Sequence, residues 1–354
     1  MTLIKRYILL VTLIFLMIVT CSCNRNKVND NVSQVVLPKY SKVSILRSEE
    51  NNISVFQEKE LSLKSIEKLK NISDIKYNNE NNIYVFKEII SKGENFNKSI
   101  IKILSLNGEK VLQDFYTAED MKLSPSANYL AYRSFKEDSF DSAEGLKIYD
   151  IKMNKPILIN NQTLVSGNLY TWLNEDEILY YGASDDKGVN IFKYNIKNGK
   201  ETLYTPPLNG YCKFFIPYED NILMLLDNGE SNNLMIYNKS DNSLKKLDIS
   251  FEIIYDGIYN EKQKEIFIIA AENGEEANLF KLSLDDLSLN KVNYDFPKSV
   301  DPNGGLAIDN RGFIYYLGYS EDDKLKNHVF IYNEDEDSNV LISDEPSYYK
   351  IISE

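Results

Sequence analysis

The chain has 354 residues, 43% of them hydrophobic and 26% charged, the proportions of a folded globular protein. Its 53 acidic residues outnumber 40 basic ones for a formal net charge of −13, which argues against a positive surface broad enough to hold nucleic acid or an anionic bilayer. Three cysteines and one histidine are too few for a disulfide framework, or for a four-ligand zinc site built without carboxylates.

The N-terminus reads as an address. Lys5 and Arg6 precede an apolar run from Tyr7 to Val19, and Thr20-Cys21-Ser22-Cys23 follows. A positive start, a short apolar run and a small-residue exit are the marks of an export signal. The run makes roughly 20 Å of helix, short of the roughly 30 Å hydrocarbon core. The cysteine just beyond it resembles the lipobox of bacterial lipoproteins, in which the signal is cut before a Cys that carries acyl chains. Ser22 is a favoured residue ahead of such a Cys and selects Cys23. Thr20 stands where the family usually has Leu, which leaves Cys21 as the competitor. An ordinary secretory signal and a permanent single span are the alternatives. The resemblance implies a signal peptide over 1–22, acylation (palmitate) at Cys23 and a location on the extracytoplasmic face of the cell membrane. Several acyl chains, at about 0.8 kcal/mol per buried CH₂, make a firm anchor. Residues 23–41 read as lipidated Cys plus tether, being polar and Asn-rich from Asn24 to Gln34. The Asn, Lys and Ile bias suggests an AT-rich Gram-positive genome.

From residue 42 onward the chain repeats. Alternating runs begin at Ile83, Leu130, Ile178, Ile222, Ile266 and Ile314. A second family follows each, as at Leu146–Ile151, Ile191–Ile196 and Leu234–Tyr237, several ending in an aromatic residue and then Asn or Asp, as in Tyr149-Asp150 and Tyr237-Asn238. Turn signals then introduce one more strand. Asn107-Gly108 and Asn198-Gly199 are dipeptides of the type I′ hairpin. Short strands rich in Ile, Tyr, Phe and Val between such turns predict antiparallel sheet. The stretch from Leu61 to Leu69 fits a short helix or a strand.

Four strands in a period of about 46 residues predict an all-β fold, a β-propeller with one blade per repeat. Six pitches run from Asn71 to Asp344. One further step at each end gives a seventh blade closed by both termini, with one strand from 348–352 and the rest from 42–67. The propeller then occupies 42–354, and closure removes unpaired edges. Six blades plus stray terminal strands is the alternative. Leu123-Ser124-Pro125-Ser126-Ala127-Asn128-Tyr129-Leu130-Ala131-Tyr132 resembles the Ser-Pro-Asp-Gly-x-x-Leu-Ala-Tyr repeat of TolB-like propellers, with Ser126 and Ala127 in place of Asp and Gly. A looser echo runs from Ile308 to Tyr316. The resemblance covers most of the chain as a rhythm and one blade as a motif, and it implies the fold while leaving the ligand open.

Chemistry-bearing motifs are sparse. His328 begins a predicted third strand, where a structural or surface role is expected. Cys212 reads as a small core residue. The chain has no Gly-x-Ser-x-Gly elbow and no calcium loop of EF-hand spacing. No catalytic residue, metal ligand or cofactor is assigned. The open alternative is carboxylate-dependent hydrolysis of an envelope glycan or small ester at the central mouth.

Two features share one face of such a wheel. The loops between second and third strands, taken as 91–98, 136–145, 184–188, 227–233, 272–278 and 320–327, hold 15 acids against 6 bases. Glu144, Asp185, Asp186, Glu275, Glu276 and Asp322 belong to this rim, which either steers a cationic partner or is simply solvated. The blade-to-blade connections carry Tyr116, Tyr170, Tyr204, Tyr211, Tyr255 and Tyr294 toward the central mouth. There they either form a recognition ring or pack between blades. The expected function is that of a membrane-anchored binding or scaffold module for a protein or peptide partner, with no nucleic acid.

Overall fold

The computed structural model describes residues 37–50, 52–159, 163–294, 296–319 and 324–354. In them the chain forms seven antiparallel sheets arranged as the blades of a β-propeller. Strands are numbered in chain order. β1 (Val43–Glu49), β2 (Asn52–Lys59) and β3 (Ser62–Lys70) belong to the blade closed by the last strand, β29 (Tyr349–Ser353), in the order β29-β1-β2-β3. β4 (Ile72–Asn78), β5 (Ile83–Ser91), β6 (Lys98–Ser105) and β7 (Gly108–Leu112) form the next blade in sequential order. The innermost strands of the following three blades are β8 (Thr117–Leu123), β12 (Thr163–Trp172) and β16 (Tyr211–Tyr218), and β20 (Ile253–Asn260) follows. The remaining blade splits its innermost position between β24 (Ser299–Val300) and β25 (Ala307–Ile308), both paired with β26 (Ile314–Tyr319). Pro302, Gly304 and Gly305 occupy the interruption.

The closure matches the expectation of seven blades and replaces the six-bladed alternative. Ile45 pairs with Ile351 and Ser44 with Ile352, so both ends of the chain build one sheet. Leu61–Leu69 is strand, within β3. Packing starts somewhat before residue 42: Leu37 and Tyr40 join the core, and the Tyr40 hydroxyl donates to Glu67 at 2.8 Å.

The long apolar runs that set the repeat are second strands, buried on both faces because a blade packs on each side. In the run Ile222–Leu226, Leu223 and Leu225 face Ile266 and Ile268 of the next blade, whereas Ile222 and Met224 face Leu179 and Tyr181 of the previous one. Each fully buried side chain of this size contributes about 1.5–3 kcal/mol.

The aromatic-then-Asn/Asp pattern also has a structural cause. The turn after the third strand is a four-residue loop, and its last residue adopts a left-handed backbone at Asn154, Gly199, Asn242 and Asp337. In three of these loops the tyrosine at the last position but one of the third strand donates its hydroxyl to that residue: Tyr149 to Asn154 at 2.6 Å, Tyr237 to Asn242 at 3.1 Å and Tyr332 to Asp337 at 2.8 Å.

The expected Asn-Gly type I′ turns are not formed. Asn198-Gly199 closes one of the four-residue loops, and Gly108 already lies in β7, paired with Ser105. A two-residue loop with both residues at positive φ occurs instead at Glu60-Leu61, at 56° and 57°.

Candidate functional site: the central channel and its mouth

The innermost strands surround the axis of the wheel. Five of them carry a register break, near the start of the strand at Ile72/Asp74, Cys212/Phe214 and Ile254/Asp256 and reaching further along it at Glu119/Lys122 and Val165/Tyr170. In an antiparallel meander this end lies on the face where the blade connections and second-to-third loops emerge. A bulge bends its strand and re-aims side chains, and such irregularities concentrate beside functional sites. Here the extra residues include Ser73, Asp120-Met121, Lys213 and Tyr255.

Immediately beyond the breaks sit charges. Asp74 Oδ1 is 3.0 Å from Lys350 Nζ, and Lys76 lies 3.9 Å from the other oxygen. Burial by itself raises the Asp74 carboxyl, but Lys76 and Lys350 together outweigh it and hold the group below its ordinary range. Asp120 pairs with Arg133, and Lys87 with Glu119. Lys122 donates to the Tyr170 carbonyl at 2.6 Å with its ammonium 5.2 Å from the Tyr170 ring centroid. Tyr170 returns its hydroxyl to the Asp120 carbonyl at 2.6 Å, and Trp172 Nε1 donates to the Lys122 carbonyl at 3.0 Å. Burial lowers the Lys122 ammonium despite the opposing pull of Asp256 and Asp120. Burial raises the Asp256 carboxyl, against the Gly257 amide and the fields of Lys122 and Lys76.

A cavity of about 650 Å³ opens between these strands, lined by Lys122, Tyr170, Trp172, Lys213, Phe214, Ile216, Pro217, Tyr255, Asp256, Gly257, Tyr259, Pro302 and Asn303 among others. That volume lies within the range of small-molecule and peptide pockets. A second pocket of about 340 Å³ shares Lys122 and Asn168 with it and adds Asp74, Lys76, Lys87, Glu119 and Lys350.

The structure separates the tyrosines expected at the mouth. Tyr211, Tyr255 and Tyr294 are exposed, at 70%, 39% and 71%, and Tyr255 lines the cavity. Tyr170 and Tyr204 are buried. Tyr170 packs between the second and third sequential blades and reaches the cavity wall, and Tyr204 stacks edge-on against Tyr237. Tyr116 is half-buried, its carbonyl accepting from the Ser99 amide at 2.9 Å.

The acidic rim is partly structural. Glu144 is half-buried and accepts from Ser134 at 2.9 Å. Asp186 is held low by the Ser184 hydroxyl, and Glu276 pairs with Lys324. Asp185 and Glu275 are exposed. Asp138 in the same rim accepts three amides of the adjoining loop, from Glu94 at 2.6 Å, Asn95 at 3.0 Å and Phe96 at 2.6 Å. Asp322 and Cys23 lie outside the described residues.

His328 Nδ1 is 3.0 Å from Ser343 Oγ, in a third strand rather than on the channel. Burial pushes the Cys212 thiol up to about 12, and its sulfur donates to the Phe214 carbonyl at 3.1 Å, so it is protonated and packed at neutral pH. Among the described residues no group of three His, Cys, Asp or Glu side chains is arranged to hold a metal, and no helix is long and apolar enough to cross a membrane.

Lys122, Lys213, Phe214 and Asp256 were not among the residues singled out from sequence. For Lys213 and Asp256 the available signal is a single charge inside an otherwise uncharged innermost strand, as in Ile253-Ile254-Tyr255-Asp256-Gly257, whereas the strand of Lys122 also carries Glu119 and Asp120.

The fold and channel define a seven-bladed β-propeller with an accessible axial cavity. No protein-family model and no curated protein matches the chain. Solved structures do. A prolyl endopeptidase matches with a TM-score of 0.61 at 8% identity over 90% of this chain and 50% of that one. The chain thus spans about half the length of that peptidase. The uncharacterized protein lmo1340 from Listeria monocytogenes matches with a TM-score of 0.57 at 13% identity, over 86% of this chain and 93% of the other. TolB from Acinetobacter baumannii matches at 10% identity over 87% of this chain and 82% of its own, with a TM-score of 0.48. At these identities the first two likenesses concern the fold alone.

Proposed function

We propose that this protein is a lipid-anchored, extracytoplasmic propeller that binds a protein or peptide partner at the channel mouth. The observation that carries this reading is the recurrent bulge. A register break occurs in five innermost strands, one extra residue in four of them and a longer insertion in β12, and Tyr255 and Lys213 stand at two of these breaks on the lining of one cavity, whose wall combines aromatic, apolar and oppositely charged groups. Exposed Tyr211 and Tyr294 extend that surface. Large aromatic side chains with polar tips are the residues that dominate recognition surfaces.

Hydrolysis by paired carboxylates draws less support. It needs two carboxyl groups flanking one bond. Asp256 is the one carboxylate lining the larger cavity among the described residues, and nearby Asp74 and Asp120 are engaged by Lys350 and Arg133.

The test is in-cell photocrosslinking with a photoreactive residue at Tyr211, Tyr255 or Tyr294, and at Asn310 on the opposite face as control. A discrete adduct from the mouth positions and none from Asn310 is the expected result. Equal labelling from both faces, or none from either, contradicts the reading.

A further inference from the structure

The smaller pocket, about 340 Å³, gathers four lysines, Lys76, Lys87, Lys122 and Lys350, in a chain whose formal net charge is −13. Three carboxylates share its lining, and each is already engaged. Asp74 serves two ammonium groups at once, Lys350 at 3.0 Å and Lys76 at 3.9 Å, and the second distance is beyond a hydrogen bond. Glu119 holds Lys87, and Asp120 holds Arg133, which does not line the pocket. Lys122 donates to the Tyr170 carbonyl and feels Asp256 as its leading opposite charge. Counted together, five cations meet four carboxylates, and burial raises the Asp256 carboxyl, which reduces its share of the counter-charge.

The surplus is felt between the lysines. Burial and, to a lesser extent, the field of Lys76 lower the Lys122 ammonium against the pull of Asp256 and Asp120. Like charges held in one small pocket repel, and an anion placed among them turns the repulsion into attraction. Each ammonium also has three donors and no acceptor, so Lys76 has hydrogen bonds to offer a ligand.

The fold decides which anion fits. Lys350 comes from β29, Lys76 from β4, Lys122 from β8 and Asn168 from β12, so four successive blades each bring a donor to the same pocket. No arginine lines it among the described residues, so it lacks the planar fork that pairs bidentately with a carboxylate. Point charges that arrive from several sides match an anion with oxygens all round, which is the form of a phosphoryl group. The pocket shares Lys122 and Asn168 with the larger cavity, and this leaves room for a small substituent on that group.

We infer that the smaller pocket binds the phosphoryl group of a small molecule, either phosphate itself or a phosphomonoester, through Lys76, Lys122 and Lys350. Such a ligand is independent of the partner proposed at the mouth. No bond is made or broken.

The experiment is calorimetric titration of the full chain, at matched ionic strength, with inorganic phosphate, glycerol 3-phosphate and succinate. Both phosphoryl compounds should bind, and succinate should bind more weakly by about tenfold or more. Tighter binding of glycerol 3-phosphate assigns an ester as the ligand, and equal or weaker binding assigns the free anion. Lys76→Gln should weaken phosphoryl binding by about tenfold. Asp74→Asn, which removes the carboxylate shared by Lys76 and Lys350, should strengthen it by about threefold or more. Opposite effects from two neighbouring substitutions are a pattern that general damage to the channel does not produce. Lys152→Gln, in an exposed loop on the opposite face, should leave binding unchanged. The comparison of three ligands on the unaltered chain stands even if a variant fails to fold. No binding of either phosphoryl compound overturns the inference. Succinate binding as tightly as they do, weaker binding in Asp74→Asn, or equal losses in Lys76→Gln and Lys152→Gln also overturn it.

Discussion

Lys350 Nζ lies 3.0 Å from Asp74 Oδ1, joining two innermost strands 276 residues apart in sequence. The bond crosses from the blade that contains the C-terminus to the first blade built wholly from the N-terminal half. It therefore fastens the ring at its seam as well as setting the charge of the channel.

The seam should be visible in the acid limb of stability. Asp74 is held below its unfolded value, so it stabilises the fold above an unfolded carboxyl pKa of about 3.9 and loses that contribution as pH falls through the lower folded value. Asp74→Asn should cost about 1–2 kcal/mol at neutral pH, a figure reduced because Lys350 is 43% exposed and water screens the pair. Urea midpoints of the two proteins should converge as pH falls toward 2. A gap that stays constant with pH would show that the pair contributes nothing electrostatic.

The hairpin at Glu60-Leu61 places two residues with side chains at positive φ, where Asn and Gly are favoured. Replacing both, Glu60→Asn with Leu61→Gly, should raise stability by about 1 kcal/mol. Denaturant unfolding measures this, and an unchanged midpoint contradicts the assigned turn.

Glu175 explains how the Ser-Pro-Ser-Ala turn manages without the aspartate of the TolB-like repeat. Its carboxylate, delivered from the next blade, accepts from Ser124 Oγ at 2.9 Å, the Ser126 amide at 2.6 Å and Asn128 Nδ2 at 2.7 Å. Ala127 holds the left-handed conformation, at φ 52°, where the repeat has glycine. Glu175→Ala should destabilise by about 1–3 kcal/mol, since charge-assisted bonds to three donors are lost. Glu175→Gln should recover part of that. Identical losses for the two variants would assign the effect to packing instead.

Cys23→Ser should move the protein from the membrane fraction to the soluble extracytoplasmic fraction, read by fractionation and by metabolic labelling with a palmitate analogue. Acylation that persists in this variant transfers the site to Cys21.

Much of the wheel is legible in the sequence because second strands are buried on both faces and so read as continuous apolar runs at a fixed pitch. The shared blade follows from stepping that pitch outward, and Ile45 and Ile351 do pair. The channel is less legible. A bulge inserts a residue and shifts the alternation of two, so Lys122 and Asp256 carry no periodic mark of facing the axis. Tyr170 and Tyr204 show the same limit from the other side. A tyrosine near a blade connection packs inward or outward according to a local register that composition does not encode. The Asn-Gly pairs mislead because register decides the loop: with Asn195 paired to Lys200 the pair Asn198-Gly199 ends a four-residue loop, and with Ser105 paired to Gly108 the connection is Leu106-Asn107.

The geometry of the mouth depends on closure of the ring by both ends of the chain, and removal of residues 349–354 probes that closure most directly. The deletion takes away buried Tyr349, Ile351 and Ile352, together with the Lys350 link to Asp74. At about 1.5–3 kcal/mol for each large apolar side chain, the loss rivals the whole stability of a typical domain, about 5–15 kcal/mol. Calorimetry of the shortened chain should show loss of the cooperative transition of the entire propeller, with aggregation through the exposed edge of β1. A transition that keeps the midpoint and enthalpy of the full chain would contradict the closed seven-bladed ring and the axial site built on it.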